Sequence, residues 1–290
     1  MEQPSISQIA TTATSPAYEA RLLCRRGLVS KTAGIAPGFL QANLVVLPSA
    51  YATDFKNLCA RNPVPCPLLG MTPVGNPHKV APAECIKTAD FDIRTDFPSY
   101  IVHGEDGTQV VKKDILAEWT ADHVGFLIGC SLSFEDALLR NGLKVCHQLT
   151  NRLPAMYLTN VPLLASGVFY GSTLVTSMRT YLPHEVERAR DVTRPYLATH
   201  GEPIAWGWDG AKSIGVGDVD KPDFGDRQDF EEGEVPVFWG CGVTPQVAVR
   251  NASSRIDGVT MAHEPGHMLV TDWTVGDLPD IASAIALIIG

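Results

Sequence analysis

Apolar and polar positions follow one another along this chain in short runs, which predicts many brief elements joined by tight connections. From Tyr18 the run "YEARLLCRRGL" predicts a helix ended by Gly27, and "YATDFKNLCARN" predicts a second. Between them, Leu44 to Leu47 form an unbroken apolar run stopped by Pro48, the mark of a buried strand. "PVPCPLLG", with its three prolines, predicts an extended loop or turn. "DFDIRTDFPSY" and "IVHGEDGTQVV" then predict strands joined by a turn at Glu105-Asp106-Gly107.

The stretch that follows predicts a helix in "KKDILAEWT", a buried strand from Val124 to Ile128, and a helix from Phe134 to Arg140 closed by Asn141-Gly142. "VFYGSTLVTSMRTY" is strand-like and "PHEVERARDVTRPYLATH" helical. In "VFWGCGVTPQ", Val237 to Trp239 suit a buried strand, Gly240 and Gly242 free the backbone, and Pro245 stops the ladder. Main-chain N–H groups, Cys241, Thr244 and Gln246 are thereby placed at a strand's end, a common address for active sites and also an ordinary turn.

Composition narrows the classes. A chain of 290 residues holds a proper core without metal or disulfide staples. A net charge of −9, with no basic run, argues against nucleic acid and anionic membrane as partners. Seven scattered cysteines without a C-x-x-C pair suggest neither a disulfide framework nor a zinc knuckle and fit a reducing compartment such as the cytoplasm. The N-terminus lacks the pattern of a secretory signal, and residues 1–16 are expected to be loose. The longest apolar run, "IASAIALIIG", is about half of a bilayer crossing, so no span is expected. It is expected to pack in a groove or on a second subunit, as in a homodimer.

Four motifs carry candidate chemistry. "HEPGH" matches the H-E-x-x-H expression of zinc peptidases, which needs a helix to bring two histidines to one face. Pro265 and Gly266 oppose that helix, so a loop that aims His263 into a cleft, or a surface histidine, is expected instead. In "GCSLSFEDALL", Ser131 or Ser133 can cap the helix that begins near Phe134, with Glu135 in its first turn, which makes an anion site or merely a capping arrangement. Arg179 ends an apolar strand in "TLVTSMRTY" and must pair with a carboxylate, of the protein or of a substrate. Asp223 and Asp226 in "DKPDFGD" are placed to bind a metal or move protons, or to bond their own turn.

Taken in order, "KTAGIAPGFLQANLVVLP", "NPVPCPLLG", "DIRTDFPSY", "FLIGCSLSFEDALL", "MYLTN", "TSMRTY", "KPDFGD", "EVPVFWGCGVTPQ" and "HEPGHMLVTD" resemble the family of D-glutamate cyclases and hydro-lyases, from about residue 20 to residue 272. The resemblance implies an α/β fold, a mixed-sheet layered sandwich with a second, smaller α+β sub-domain. The main domain would hold residues 17–145 and 235–290, and the smaller one residues 146–234. It implies a cytosolic or organellar dehydrating lyase without organic cofactor, exemplified by closure of D-glutamate to 5-oxo-D-proline, acting on a small-molecule carboxylate or carbonyl substrate. Such a reaction needs a proton mover, an acid to release water, and donors for an oxyanion.

The resemblance casts Glu135 or His263 as the proton mover and Cys241 as a pocket-lining thiol or nucleophile. It casts Arg179, Ser131, Ser133, Asn160, Ser177, Asp223, Asp226, Thr244, Gln246 and His147 as substrate-binding. Two departures stand out. Family members carry Arg-His-Ile-Glu where this chain has "CHQL", which keeps His147 but has Cys146 and Leu149 at the charged positions. They also carry a histidine and an aspartate within the stretch that here reads "HGEPIAWGW", where Ala205, Trp206 and Trp208 stand. Trp206 and Trp208 would favour a larger, less polar substrate if they face the site, or repack a sub-domain contact if they do not. A binding protein that keeps the pocket without turnover is the second reading, and metal-dependent hydrolysis through His263, His267 and an aspartate the third.

Overall fold

The computed structural model describes residues 15–104 and 107–289. The expected loose segment therefore lies outside the described residues up to residue 14, as do residues 105 and 106 of the expected turn. The run around Leu44 sits within a longer strand, β1 (Phe39–Pro48), buried from Leu40 onwards. Both faces of β1 are covered. Leu44 and Val46 join a cluster with Phe91, Phe97 and Tyr100, while Val45 and Leu47 join another with Phe55, Phe126 and Ala248. A strand packed on both sides has no polar alternation, which is why the sequence shows a continuous apolar run.

One edge of β1 pairs with β5 (His123–Gly129) from Ala42 opposite Gly129 to Pro48 opposite His123. Its other edge takes two strands in turn, first β11 (Leu269–Thr274) and then β10 (Thr260–His263). The sheet continues through β2 (Leu68–Met71) beyond β5, and through the hairpin of β3 (Tyr100–His103) and β4 (Gln109–Lys112) beyond β10. A second sheet has the order β6 (Met156–Pro162), β7 (Thr173–Tyr181), β9 (Val235–Gly240), β8 (Ala205–Trp206). Every named pairing among the described residues is antiparallel. The layered α/β architecture is thus the one expected.

Helices close the layers. α1 (Pro16–Arg25) packs on β11, where Arg21 forms a buried ion pair with Asp272 at 2.9 Å. α2 (Ala52–Arg61) and α7 (Val243–Asn251) cover the face of β1 that carries Val45. α3 (Glu135–Arg140) and α5 (Val186–Thr193) enclose Tyr181 and Trp239. α4 (Cys146–Leu149) is a single turn, and α6 (Gly207–Ser213) packs under β8 and β9.

Three local expectations give way to tertiary structure. Residues 90–99 form turns instead of a strand, because Asp92 caps the Arg94 N–H at 3.0 Å and Asp96 is taken by Arg25. "KKDILAEWT" makes only a turn beyond Lys112, the end of β4, closed by the Trp119 N–H donating to the Ile115 carbonyl at 3.0 Å, with Ile115 and Trp119 buried as its apolar anchors. Pro245 does not end the region after β9 but lies in the first turn of α7, where its missing N–H has no helical partner to lose.

The apolar C-terminal run forms α8 (Leu278–Ile289), which docks in a groove beside β2 and α2. Ile281 is buried in the main cluster, with Leu278 and Ile285 against it. Ile281→Ala is expected to cost about 2–4 kcal/mol of unfolding free energy. Urea denaturation checks this, and an unchanged midpoint would show that α8 does not dock.

Candidate active site

Midway along β1 the neighbouring strand changes, and the Leu44 N–H is left without a strand partner. His263, the last residue of β10, supplies one: its Nδ1 accepts from Leu44 N–H at 3.0 Å. The Gln246 amide lies 2.8 Å from the same nitrogen and also reaches the His263 carbonyl at 3.3 Å. Burial pushes the His263 imidazole down to about 3, so the ring is neutral. Residues 264–268 form the turn from β10 to β11, with Gly266 at φ +88°. "HEPGH" is therefore strand and turn, and the two histidines do not share a helix face.

Asn43 stands beside this fork. Its Nδ2 donates to the Ile128 and Gly129 carbonyls at 3.2 and 3.0 Å. A Cβ on Gly242 would fall 1.8 Å from that nitrogen, so the close approach of the two sheets demands glycine there. Between the sheets lies a cavity of about 230 Å³. Asn43, Ser131 and His263 wall it from the large sheet, Ser177, Cys241 and Gly242 from the small one, and His147 closes a side. Lys31 and Arg152 are its cationic lining residues, and no carboxylate lines it among the described residues. Arg152 also pairs with Asp229 at 2.8 Å, whereas Lys31 donates to the Asn151 carbonyl at 3.1 Å.

Behind the serines sits a buried ion pair. The Arg179 guanidinium donates through Nε at 3.1 Å, and again through Nη2, to Oε1 of Glu135. It lies against the adjoining rings of Phe134 and Trp239, at 5.0 and 5.3 Å. Gln148 donates to Oε2 of Glu135, and His147 Nε2 lies 2.9 Å from Oε1. Burial alone would raise the Glu135 carboxyl, but the His147 ring beside it and the Arg179 guanidinium outweigh it and hold the group at about 2. Of the two carboxylates open to Arg179 from the sequence, the protein's own takes it.

The remaining guanidinium donors serve the cavity. Nη1 donates to Ser177 Oγ and Nη2 to Ser131 Oγ, each at 3.2 Å. The two hydroxyl oxygens are 3.4 Å apart. Each serine oxygen already accepts from a cation, so its proton is free to donate, and at most one can point at the other. The pair thus offers the cavity at least one O–H polarised by a buried charge, a suitable partner for a carboxylate or oxyanion.

Burial pushes the Cys130 thiol up to about 12 and Cys241 up to about 11, so both line the cavity as neutral thiols. Other candidates act behind it or away from it. Ser133 accepts from Gln41 N–H at 2.9 Å, and Thr244 is tied to the Val175 backbone at 3.0 and 3.2 Å, stitching α7 to β7. Asn160 donates to Ser213 at 3.3 Å, Asp223 caps Leu158 N–H at 2.8 Å, and Asp226 caps Leu153 N–H at 2.7 Å. Trp206 lies under the Arg190 guanidinium at 4.6 Å, and Trp208 packs on Phe230 at 5.3 Å. None of these last five lines the cavity. The tryptophans cover the small sheet instead of widening the pocket, because β8 and α6 lie on its far edge. Asn43 was missed although its signal was present, a polar residue inside an apolar strand. Lys31 and Arg152 carry no local signal.

A D-glutamate cyclase family model matches residues 124–272. A protein of Schizosaccharomyces pombe named "Putative hydro-lyase" is 50% identical over 274 residues, 93% of this chain and 88% of that protein. One of Rubrobacter xylanophilus with the same name is 46% identical over 259 residues, covering 88% and 95%. "Putative hydro-lyase YcsI" of Bacillus subtilis is 44% identical over 255 residues, also covering 88% and 95%. Among solved structures, the nitrogen repressor-like protein MJ0159 from Methanococcus jannaschii aligns at TM-score 0.40 and 11% identity over 89% of this chain and 98% of that one, too slight a likeness to carry an argument.

Arg179→Met would leave Glu135 buried without its main partner, at an expected cost of about 3–5 kcal/mol. Because the folded-state value of Glu135, about 2, lies below the ordinary 4.5, its stabilising contribution is complete above 4.5 and is lost as pH falls toward 2. The stability gap between native protein and variant should therefore be widest near neutrality and narrow on acidification. Denaturation at a series of pH values checks this; a constant gap would contradict the assigned ion pair.

Proposed function

The chain belongs to the D-glutamate cyclase family, and on that footing we propose that it is a cofactor-independent hydro-lyase that removes water from a small carboxylate substrate in the cavity between the two sheets. The observation that carries this reading is the electrostatics of that cavity. Lys31, Arg152 and the Arg179-backed serines Ser131 and Ser177 offer positive charge and donors, no carboxylate lines the cavity among the described residues, and Glu135 behind the serines is paired with Arg179. An anion is attracted to such a site, and negative charge developing on oxygen during loss of water finds donors already in place.

Closure of D-glutamate to 5-oxo-D-proline is the reaction we assign within this class. The substrate is small enough for about 230 Å³. One carboxylate would meet Lys31 and Arg152 toward the polar side, and the reacting carboxyl would meet Ser131 and Ser177. The thiols of Cys130 and Cys241 and the neutral His263 ring supply a water-poor wall, in which those donors act more strongly than in bulk solvent.

Purified protein incubated with D-glutamate should yield 5-oxo-D-proline by chiral chromatography with mass detection. Removing one donor by Ser131→Ala or Ser177→Ala should lower kcat by about 10²- to 10³-fold. Lys31→Ala should act mainly on KM. Folded protein that binds D-glutamate but never turns it over would overturn the lyase reading in favour of a binding protein.

A further inference from the structure

We propose that His147 is the proton carrier of this cavity, a catalytic residue whose ring is positioned by the Glu135–Arg179 pair. This rests on the lyase reading above. His147 lies on α4, is 2% exposed, and lines the cavity. Its Nε2 faces the Glu135 carboxylate at 2.9 Å, a contact bent away from a straight hydrogen bond. No described residue bonds its Nδ1. A carboxylate on one side of an imidazole fixes the proton on the nearer nitrogen, leaves the lone pair on the other, and stabilises the imidazolium once it forms.

The competing groups are all committed. Glu135 already accepts from Arg179 and Gln148. His263 spends the lone pair of Nδ1 on Leu44 and Gln246, so its neutral ring carries the proton on Nε2, which is buried without a partner and has no lone pair to offer. The thiols of Cys130 and Cys241 are protonated by burial, and Lys31 and Arg152 are cations. Beside these stand Glu135 on α3, Arg179 on β7, and the Cys146 thiol and Tyr181 hydroxyl, both of which burial pushes up. His147 is left as the group with a basic nitrogen open to the cavity.

For an amino acid that closes on its own side-chain carboxylate, the balance is complete without a co-reactant. The ammonium gives one proton to Nδ1 and its lone pair forms the C–N bond to the carboxyl carbon. Nδ1 passes that proton to a carboxyl oxygen. A second proton leaves the nitrogen by the same route, the C–O bond breaks, and one water departs, leaving an amide and a neutral His147. Between transfers the imidazolium is held by Glu135, whose own charge is fixed by Arg179 and is never protonated.

Two measurements on the full chain test this. Long-range proton–nitrogen NMR of the labelled imidazoles, with the His147 signals identified by their loss in His147→Gln, is expected to show the neutral ring protonated on Nε2 with Nδ1 bare. An Nδ1–H tautomer would overturn the proposal, and this readout does not depend on turnover, so it fails separately from the lyase reading. In the D-glutamate assay, His147→Gln keeps an N–H near Glu135 but has no basic nitrogen. It should lower kcat by about 10²- to 10⁴-fold with KM little changed, and added imidazole should restore part of the rate to His147→Ala. Full kcat in folded His147→Gln, or a loss confined to KM, would overturn the assignment.

Discussion

The central strand β1 is buried on both faces and must satisfy its backbone on both edges, and on one edge it does so with two different strands. Where β11 ends and β10 begins, a main-chain N–H in the middle of the core would stand unpaired, at a cost of about 1–3 kcal/mol. The His263 side chain fills that place in the ladder. The fork this creates opens the large sheet locally, and the turn of residues 264–268 passes over it. The cavity exists because a sheet that splits cannot also close-pack at the split.

The second sheet determines what fills the opposite wall. β7 and β9 run side by side, so Ser177, Arg179 and the segment after Trp239 arrive together at the end of β5. Arg179 could not be buried alone. Its partner comes from α3, whose first residue, Glu135, lies four residues after Ser131. One guanidinium therefore neutralises a carboxylate and orients two hydroxyls, while two adjoining aromatic rings cover it. Such an arrangement favours donors that need not reorganise when negative charge appears.

Much of the fold was legible along the chain. Strand runs such as those at Leu44 and Val124 are apolar enough to be read directly, and Gly27 and Gly142 end helices in left-handed turns as their positions suggest. The segment 90–99 was not legible, since its alternation mimics a strand while its aspartates bind arginine and backbone N–H groups that the local pattern does not reveal. Residues of the site were legible by type but not by role. Glu135 and Arg179 were each conspicuous, yet their mutual pairing turns a candidate proton mover and a candidate substrate clamp into one supporting pair. Trp206 and Trp208, equally conspicuous, lie on the far edge of the small sheet.

By itself the sequence determined the succession of short strands and helices and the kinship of the chain, because periodicity and ordered motifs are properties of the linear string. Only the tertiary structure decided which of those residues share a cavity. Lys31, Asn43, Arg152 and His147 come from four separate segments, and no local pattern relates them. Their convergence follows from the change of partner along β1 and from the packing of one sheet against the other, which depend on contacts between residues more than 200 positions apart, such as Leu44 and His263.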